Sequence, residues 1–508
     1  MNQELTKYEH QYEGKTISFE LITDAIRVER NNNFIDPSED YDYLEKLKQN
    51  GIRPPLNENA RAEVHLYRLD ASKREAQINF LHTSEKVKRV RSIYKSGNDI
   101  FFGTGELIVI PKSEMTKIAV EHLTSGKVID SIKGVFLVDF GTDALADENY
   151  RLLVENPQIK HIEKNFSTLE ERRSESTLGN SMNPLYTQPL PEQRAYDMTE
   201  TFKTHETFYV CKEFREACSK IKIALLDSGV DVGHPDLKST VDVEGCWDFV
   251  KKRKNQMPND YDFHGTLCAG MLTARRSHDI GVDGVAKGCT LISYRIGLGD
   301  SRRGFEINLF LIIKAILRAG LEEKVDVINC SWTFKKEFST LKFAISELVR
   351  KGRDGKGTII VFSAGNDGKP TKFPGNLKEV ITVSAVNEDK HPVKISDRSP
   401  WGSSFGNEVD IAAPGTNLVT TDIRDHLGRV GGWSNHDDYY KHFGGTSGAA
   451  PQVAGCAALM LARNQDLTWD ELKIKLIDTT EIFPEPREKE NYGSGILNVY
   501  NAVSSALE

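Results

Sequence analysis

Short apolar segments recur after residue 220, and helical patterns separate them. The segments cover residues 221–227, 289–296, 325–330, 358–363, 380–386 and 409–412. Between them, residues 307–321 and 340–351 carry apolar side chains at helical spacing. An alternation of buried strands and helices is typical of a parallel sheet with helices on both faces. We therefore predict an α/β fold, a doubly wound parallel sheet, for residues 184–508.

One serine lies between a glycine-rich turn and a long apolar run. The stretch reads FGGTSGAAPQVAG from Phe443 to Gly455 and continues as an apolar run through Leu461. Its small residues predict a closely packed helix, and we place Pro451 in the first turn, where no intrahelical N–H is needed. Ser447 would then lie at a buried helix N-terminus, which favours the negative charge that nucleophilic attack creates. The alternative is a serine that only caps a core helix.

Two other stretches contain an aspartate and a histidine in similar settings. Asp227 ends the apolar segment 221–227, and ligands gather at the carboxyl ends of parallel strands. His264 opens HGTLCAG, a predicted helix of small and apolar residues. Each has a purely structural explanation, as a helix cap and as a core histidine. Together with Ser447, in the chain order Asp, His, Ser, they form the set of groups that activates a hydroxyl in subtilisin.

The motifs DSGVDVGHPDL, HGTLCAG and GTSGAAPQVAG resemble the three active-site motifs of the subtilisin-like serine proteases, the subtilases. The resemblance covers residues 183–505 and leans toward the kexin-like and intracellular bacterial branch. It implies a serine endopeptidase with Asp227, His264 and Ser447 as catalytic residues. It also implies that Asn366, in the motif SAGNDG, donates its amide to the oxyanion.

The resemblance further implies a cleft for a protein or peptide substrate. The residues expected to line this cleft are Phe305, Ser331, Trp332, Thr333, Ser363, Ala364 and Gly365. A non-catalytic protein that binds partners on a protease scaffold is the alternative function. Because all four catalytic positions are occupied by the expected residue types, we favour the enzyme.

The resemblance also raises the question of whether the chain binds a structural calcium. Asp236 matches a carboxylate that subtilases use for a structural calcium, which takes oxygen ligands. The partner loop 275–281 carries two arginines, which disfavour a cation, and also Asp279, which would compensate. The sequence thus leaves a structural calcium open, whereas the chemistry itself requires no cofactor.

The first third of the chain predicts two further domains. Residues 1–97 contain alternating patterns that indicate a small β-rich accessory domain of unknown role. Residues 98–166 follow the order βαββαβ of a ferredoxin-like sandwich and resemble subtilase propeptides. The polar residues 167–183 indicate a linker. This resemblance implies a latent enzyme in which residues 165–173 occupy the cleft until cleavage or a regulatory partner, bound through the N-terminal domain, displaces them.

Composition limits the partners and the compartment. The net charge of -8 gives no basic footprint for nucleic acid, and no apolar run is long enough to predict a membrane span. The first 15 residues, MNQELTKYEHQYEGK, lack the apolar core of a signal peptide. The 7 cysteines are odd in number and mostly lie in apolar patterns, which is typical of free thiols. These features predict a cytoplasmic protein.

Overall fold

The structure, a computed structural model, describes most of the chain in two compact units. The described residues are 7–12, 15–30, 49, 64–68, 77, 81, 87–96, 99–170, 193–259, 262–277, 281–300, 304–396, 399–424, 438–484 and 491–507. The first unit comprises Met1–Leu169 with the short segments Asn308–Phe310 and Phe338–Thr340. The remaining residues, from Glu170 onward, form the second unit.

Antiparallel strands dominate the first unit. They are β1 (Lys7–Tyr12), β2 (Lys15–Arg30), β3 (Val64–Arg68), β4 (Val87–Ser96), β5 (Asp99–Pro111), β6 (Lys127–Ile132), β7 (Val135–Asp139) and β8 (Ile159–Glu170). Helix α1 (Lys117–Thr124) follows β5, and helix α2 (Asp143–Leu153) follows β7. Strands β5 to β8 are thus connected as βαββαβ, and they pair in the order β6-β7-β5-β8. This is the connection order of the predicted ferredoxin-like sandwich.

The two predicted N-terminal domains share one sheet. Strand β4 pairs with β5 in antiparallel register, with Ile93 opposite Phe102. Strand β8 extends to Glu170, beyond the boundary that we predicted after residue 166. The rest of the predicted linker, residues 171–183, lies outside the described residues.

Strand β8 provides polar side chains to the short segments that complete the first unit. The buried carboxylate of Glu163 accepts hydrogen bonds from Ser339 N (2.8 Å), Thr340 N (3.0 Å) and the Thr340 hydroxyl. Asn165 Oδ1 accepts from Phe310 N at 3.1 Å. Backbone N–H groups at the start of a helix need such acceptors, and a carboxylate also complements the helix dipole.

The remaining strands and helices belong mainly to the second unit. The strands are β9 (Lys222–Asp227), β10 (Trp247–Asp248), β11 (Thr290–Arg295), β12 (Gly297–Asp300), β13 (Gly304–Asn308), β14 (Val327–Cys330), β15 (Ile359–Ser363), β16 (Ile381–Val386), β17 (Ile411–Pro414), β18 (Leu418–Thr421) and β19 (Tyr439–Phe443). The helices are α3 (Arg194–Met198), α4 (Thr201–Phe208), α5 (Lys212–Lys220), α6 (His264–Thr273), α7 (Leu309–Leu321), α8 (Ser339–Lys351), α9 (Thr446–Arg463), α10 (Trp469–Asp478) and α11 (Val499–Ser505).

A parallel sheet forms the centre of the second unit. Its strand order is β10-β11-β9-β14-β15-β16-β17, and each neighbouring pair is parallel. Every residue of β14, β15, β16 and β17 is buried, so both faces of the sheet are covered. The predicted α/β fold is therefore confirmed. The carboxyl ends of β9, β14 and β15 bring Asp227, Cys330 and Ser363 to the same edge.

Helix α9 packs tightly because its residues are small. Residues 446–462 of this helix are buried. A Cβ added at Gly448 would lie 2.4 Å from Leu418 Cδ1, and one added at Gly455 would lie 2.8 Å from Val285 Cβ. Glycine at these positions therefore lets the helix approach its neighbours closely.

Among the described residues, no helix combines the length and the apolar character that crossing a bilayer requires.

Candidate active site

An aspartate and a histidine face each other at the carboxyl end of the central sheet. Asp227 is the last residue of β9, and His264 is the first residue of α6. His264 Nδ1 lies 3.0 Å from Asp227 Oδ1 and 2.9 Å from Oδ2. The carboxylate thus accepts the Nδ1 proton, which leaves Nε2 of the neutral ring as a proton acceptor. Ser228 N also donates to Asp227 Oδ1 at 2.7 Å and helps to fix the carboxylate.

The surroundings of His264 alter its basicity. Burial alone would lower the pKa of His264, but the adjacent Asp227 carboxylate raises it, and the pKa lies well above its ordinary value of 6.5. Cys268, one helical turn further along α6, has its Sγ 3.8 Å from His264 Nδ1. Burial raises the pKa of the Cys268 thiol. The imidazole therefore holds a proton more strongly than an exposed histidine does.

The structure places Ser447 in the first turn of α9. This helix begins at Thr446, directly after Gly445, whose φ of 95° is in the left-handed region that favours glycine. The Ser447 hydroxyl donates to Ser331 O at 3.3 Å. Ser447 is 6% exposed and therefore nearly buried.

Our placement of Pro451 in the first turn of this helix is wrong. Because α9 begins at Thr446, the nitrogen of Pro451 lies where an interior residue would donate to the Ser447 carbonyl. Proline has no N–H, so this carbonyl receives no such bond. It accepts instead from the Ser331 hydroxyl at 3.0 Å and lies 3.6 Å from Cys268 Sγ. The proline thus leaves the Ser447 carbonyl available to side chains that anchor the serine.

The side-chain amide of Asn366 is oriented by the residue before Ser447. Asn366 Oδ1 accepts from Thr446 N at 2.8 Å and from the Thr446 hydroxyl at 2.9 Å. Thr446 Oγ1 in turn accepts from Gly365 N at 3.2 Å. Because these bonds occupy the oxygen of the amide, its NH₂ group is directed away from Thr446 and can donate elsewhere.

Some of the predicted cleft residues are buried and hold other residues in place, and others are partly exposed. Ser331 is 5% exposed and anchors Ser447, as described above. Trp332 is 2% exposed, and its indole N–H donates to Leu226 O at 2.9 Å. The centroid of its ring lies 5.0 Å from that of Phe362.

The other predicted cleft residues lie in β13, at the end of β15 and in the segments that follow β14 and β15. Ser363 and Ala364 are buried at the end of β15. Gly365 follows with a φ of 112°, and a Cβ there would lie 2.9 Å from Ser404 Oγ. Thr333 is partly exposed. Phe305 lies in β13 opposite Gly299, and its side chain lies outside the described part of the chain.

The surroundings of Asp236 do not fit the calcium role that the sequence left open. This fully buried carboxylate accepts from Ser277 N and Ser277 Oγ, both at 2.9 Å, through Oδ1. Its Oδ2 accepts from Val282 N at 2.8 Å and from the Tyr439 hydroxyl at 3.0 Å. Calcium needs oxygen lone pairs from several ligands, but these partners present N–H and O–H donors to Asp236. Asp279, which we expected to compensate for the two arginines, lies outside the described residues.

Another set of potential metal ligands coincides with the candidate active site. Ligand atoms of Asp227, His264 and Cys268 all lie within 4.8 Å of one another. His264 Nδ1 is already hydrogen-bonded to Asp227. We therefore interpret Asp227 and His264 as a pair that holds and transfers a proton, with the buried thiol of Cys268 beside it.

Sequence reasoning missed a buried arginine next to this pair. Arg295 ends β11, where it lies opposite Asp227 in the sheet register, and its side chain is fully buried. It forms an ion pair with Asp262, two residues before His264. A charged residue in the apolar segment 289–296 was the signal that could have revealed it.

Comparisons with known proteins support the resemblance seen in the motifs. A calcium-dependent protease of Nostoc sp. is 30% identical over 347 residues, which cover 61% of this chain and 49% of that protein. A kexin of Candida albicans is 30% identical over 292 residues, covering 55% of this chain and 28% of that protein. An intracellular serine protease of Paenibacillus polymyxa is 31% identical over 296 residues, covering 54% of this chain and 78% of that protein. The chain thus spans about half the length of the Nostoc relative and less of the kexin.

The family comparison covers the whole candidate site. Residues 219–495 match the Subtilase family, and this range contains Asp227, His264, Asn366 and Ser447. The matched range is more than half of the chain, and so the chain belongs to the subtilase family.

Proposed function

We propose that the chain is a serine endopeptidase whose nucleophile is Ser447. In this reaction His264 Nε2 removes the Ser447 hydroxyl proton as Oγ bonds to the substrate carbonyl carbon. The proton then passes to the leaving amine as the peptide C–N bond breaks. Water repeats the sequence and releases the acyl group from Ser447. Asp227 keeps the Nδ1 proton in place and stabilises the imidazolium that forms.

Two donors would stabilise the oxyanion. The Asn366 NH₂ group and the backbone N–H of Ser447 are suited to this role, since Thr446 occupies the amide oxygen and Ser447 lies at the start of α9. The contact between His264 Nδ1 and Asp227 carries the proposal, because a histidine in a structural role does not need a buried carboxylate at this atom. The printed names of two relatives, a calcium-dependent protease and an intracellular serine protease, support the same activity.

Replacement of the nucleophile tests this function. Ser447→Ala should lower kcat for peptide hydrolysis by about 10⁶-fold, because the residues of such a triad act as a unit. The control is Ser219→Ala, an exposed serine on α5. All three proteins are first cut at a protease site introduced between residues 172 and 180. We then expect wild type and Ser219→Ala, but not Ser447→Ala, to hydrolyse a peptide library. Equal turnover in all three proteins would exclude Ser447 as the nucleophile.

We also propose that the enzyme is latent until its N-terminal region is cleaved or displaced. The βαββαβ connection of β5 to β8, placed before the protease in the chain, supports this view. So do the hydrogen bonds that Asn165 accepts from Phe310 N and that Glu163 accepts from Ser339 N and Thr340 N, because a separate accessory domain would not need them. Release by a regulatory protein that binds the N-terminal region is the alternative to cleavage.

The proposed chemistry uses protein side chains and requires no cofactor. Because protein donors already saturate Asp236, we propose that any calcium bound by this chain lies outside the loop around Asp236. The printed name of the Nostoc relative supports calcium binding of some kind.

All 7 cysteines are free, and only Cys211 is exposed, which supports our expectation of a reducing, cytoplasmic compartment.

A further inference from the structure

Arg295 is a buried charge that the proposed mechanism does not use. It is the last residue of β11, and the parallel register places it directly opposite Asp227, the last residue of β9. Its side chain is 0% exposed. A guanidinium is costly to bury unless it is paired and hydrogen-bonded, so its partners explain why it is there.

The partners of Arg295 are two fully buried carboxylates and a backbone carbonyl. Arg295 Nη2 donates to Asp262 Oδ2 at 2.5 Å, and Nη1 donates to Met257 O at 3.3 Å. Asp248 Oδ2 lies 3.5 Å from Nη1. The guanidinium thus joins strand β10, the segment before α6 and strand β11 at one point. A lysine could not make the same two-sided contact, because only the guanidinium presents a rigid fork of donors.

A short chain of hydrogen bonds connects this ion pair to the candidate catalytic pair. Asp262 lies two residues before His264, and its backbone carbonyl accepts from the Ser228 hydroxyl at 2.7 Å. Ser228 Oγ also accepts from Gly265 N at 3.1 Å, on the other side of His264. Ser228 N donates to Asp227 Oδ1. The segment 262–265 is therefore tied on both sides of His264 to the residue that follows Asp227.

We propose that Arg295 is a positioning residue for the peptidase reaction: its ion pair with Asp262 fixes the segment that presents His264 to Asp227 and Ser447. This inference rests on the proposed function, since it concerns the same histidine. An ion pair that only stabilised the fold would affect how much protein is folded, not the rate per folded molecule. Displacing a catalytic group by about 1 Å costs on the order of 100-fold in rate.

Two conservative substitutions test the proposal. Asp262→Asn keeps the shape of the side chain and removes its charge, and Arg295→Lys keeps the charge and removes the fork. Each should lower kcat by about tenfold or more while KM changes by less than about threefold, because substrate binding does not involve either residue. The double variant should be no slower than the slower single variant, because both changes break the same interaction.

The matched control is another buried arginine that holds backbone carbonyls. Arg353 is 8% exposed and donates to Gly357 O, Leu467 O and Gln465 O, away from the candidate site. Arg353→Lys should lower the melting temperature and leave kcat per folded molecule unchanged. The folded fraction of each variant is measured by circular dichroism before the kinetics.

The outcomes separate this inference from the function on which it rests. All variants are assayed after the same cut in the linker, between residues 172 and 180. The expected result is hydrolysis by wild type that Ser447→Ala abolishes, together with a selective fall in kcat for Asp262→Asn and Arg295→Lys. If Asp262→Asn and Arg295→Lys behave like Arg353→Lys, with lower thermal stability and wild-type kcat, the positioning role is overturned while the peptidase function stands. Asp262→Asn is the variant most certain to fold, since Arg295 retains Asp248 nearby. An unchanged kcat in this variant alone would therefore be decisive.

Discussion

At the scale of single residues, Thr446 orients the amide of Asn366, and this predicts a kinetic effect. Asn366→Ala should lower kcat by about 10²- to 10³-fold and change KM little, because the amide would bond the oxyanion and not the ground-state carbonyl. Asn366→Asp should be at least as slow, since a carboxylate would repel the oxyanion. Steady-state kinetics on one peptide measure both effects. A change in KM alone would mean that Asn366 binds substrate or supports Thr446.

The raised pKa of His264 predicts the pH dependence of the same reaction. A general base must be unprotonated, so a raised pKa moves the onset of activity to higher pH. We expect kcat/KM to fall as pH decreases through a value above 6.5, because Asp227 and Cys268 together raise the pKa of His264 against the opposing effect of burial. A pH profile measured between pH 5 and pH 9 tests this. An acid limb centred well below 6.5 would contradict the assignment of His264 as the base.

At the scale of secondary-structure elements, helix α4 contains a histidine, His205, that is buried in its neutral form. His205 Nε2 lies 2.9 Å from Val285 O, and the buried His205 Nδ1 has no hydrogen-bond partner among the described residues. Burial, followed by the positive charge of Lys287, lowers the pKa of His205 from 6.5 to about 4. Because the folded pKa is lower than the unfolded one, this group favours the folded state above pH 6.5 and loses that contribution as pH falls toward 4.

This shift predicts acid destabilisation of the folded protein. A difference of about 2.5 pKa units corresponds to about 3 kcal/mol in the free energy of unfolding. His205→Gln, which can still donate to Val285 O, should reduce the pH dependence of urea unfolding between pH 6.5 and 4. The control His442→Gln changes an exposed histidine and should keep the wild-type dependence. Identical slopes in both variants would contradict the proposed linkage.

The elements themselves were largely predictable, because buried strands leave a local pattern. The segment predicted at 221–227 is β9, and the one predicted at 358–363 is β15. The N-terminal end of α9 was predicted from its glycines and its serine. The position of Pro451 was not, because the start of a helix depends on backbone bonds that residue types alone do not specify.

The sequence did not reveal the partners of Asp236 and Arg295, because these partners lie in distant segments of the chain. Asp236 accepts from Tyr439, a residue far away in the chain, and a local motif around Asp236 contains no sign of this donor. The pairing of Arg295 with Asp262 likewise depends on the register between β9 and β11. Motifs therefore identified the candidate catalytic residues, whereas finding the residues that hold them in position required the structure.

At the scale of the whole molecule, residues 171–192 connect β8 to Gln193, the next described residue. A tethered inhibitor acts at an effective concentration on the order of millimolar, so a weakly bound segment would suffice for latency. A recognition site for a specific protease, introduced between residues 172 and 180, allows the chain to be cut there. Cutting should raise the rate of peptide hydrolysis by about tenfold or more, because the released N-terminal region then diffuses away.

Two comparisons complete this experiment. The cut Ser447→Ala protein should remain inactive, which excludes activity from the added protease. Equal rates before and after the cut would mean that the N-terminal region is not an inhibitor, and that it serves folding or partner binding instead.

The central claim is that Ser447 is a nucleophile activated by His264. A fluorophosphonate reacts with an activated serine and forms a stable phosphonyl ester, so the labelled residue can be identified by mass spectrometry of a protein digest. We predict one adduct, on Ser447, with a strongly reduced labelling rate in His264→Ala and no adduct in Ser447→Ala. A folded protein, cut in its linker, that takes up no label or takes it up on another serine would contradict the account.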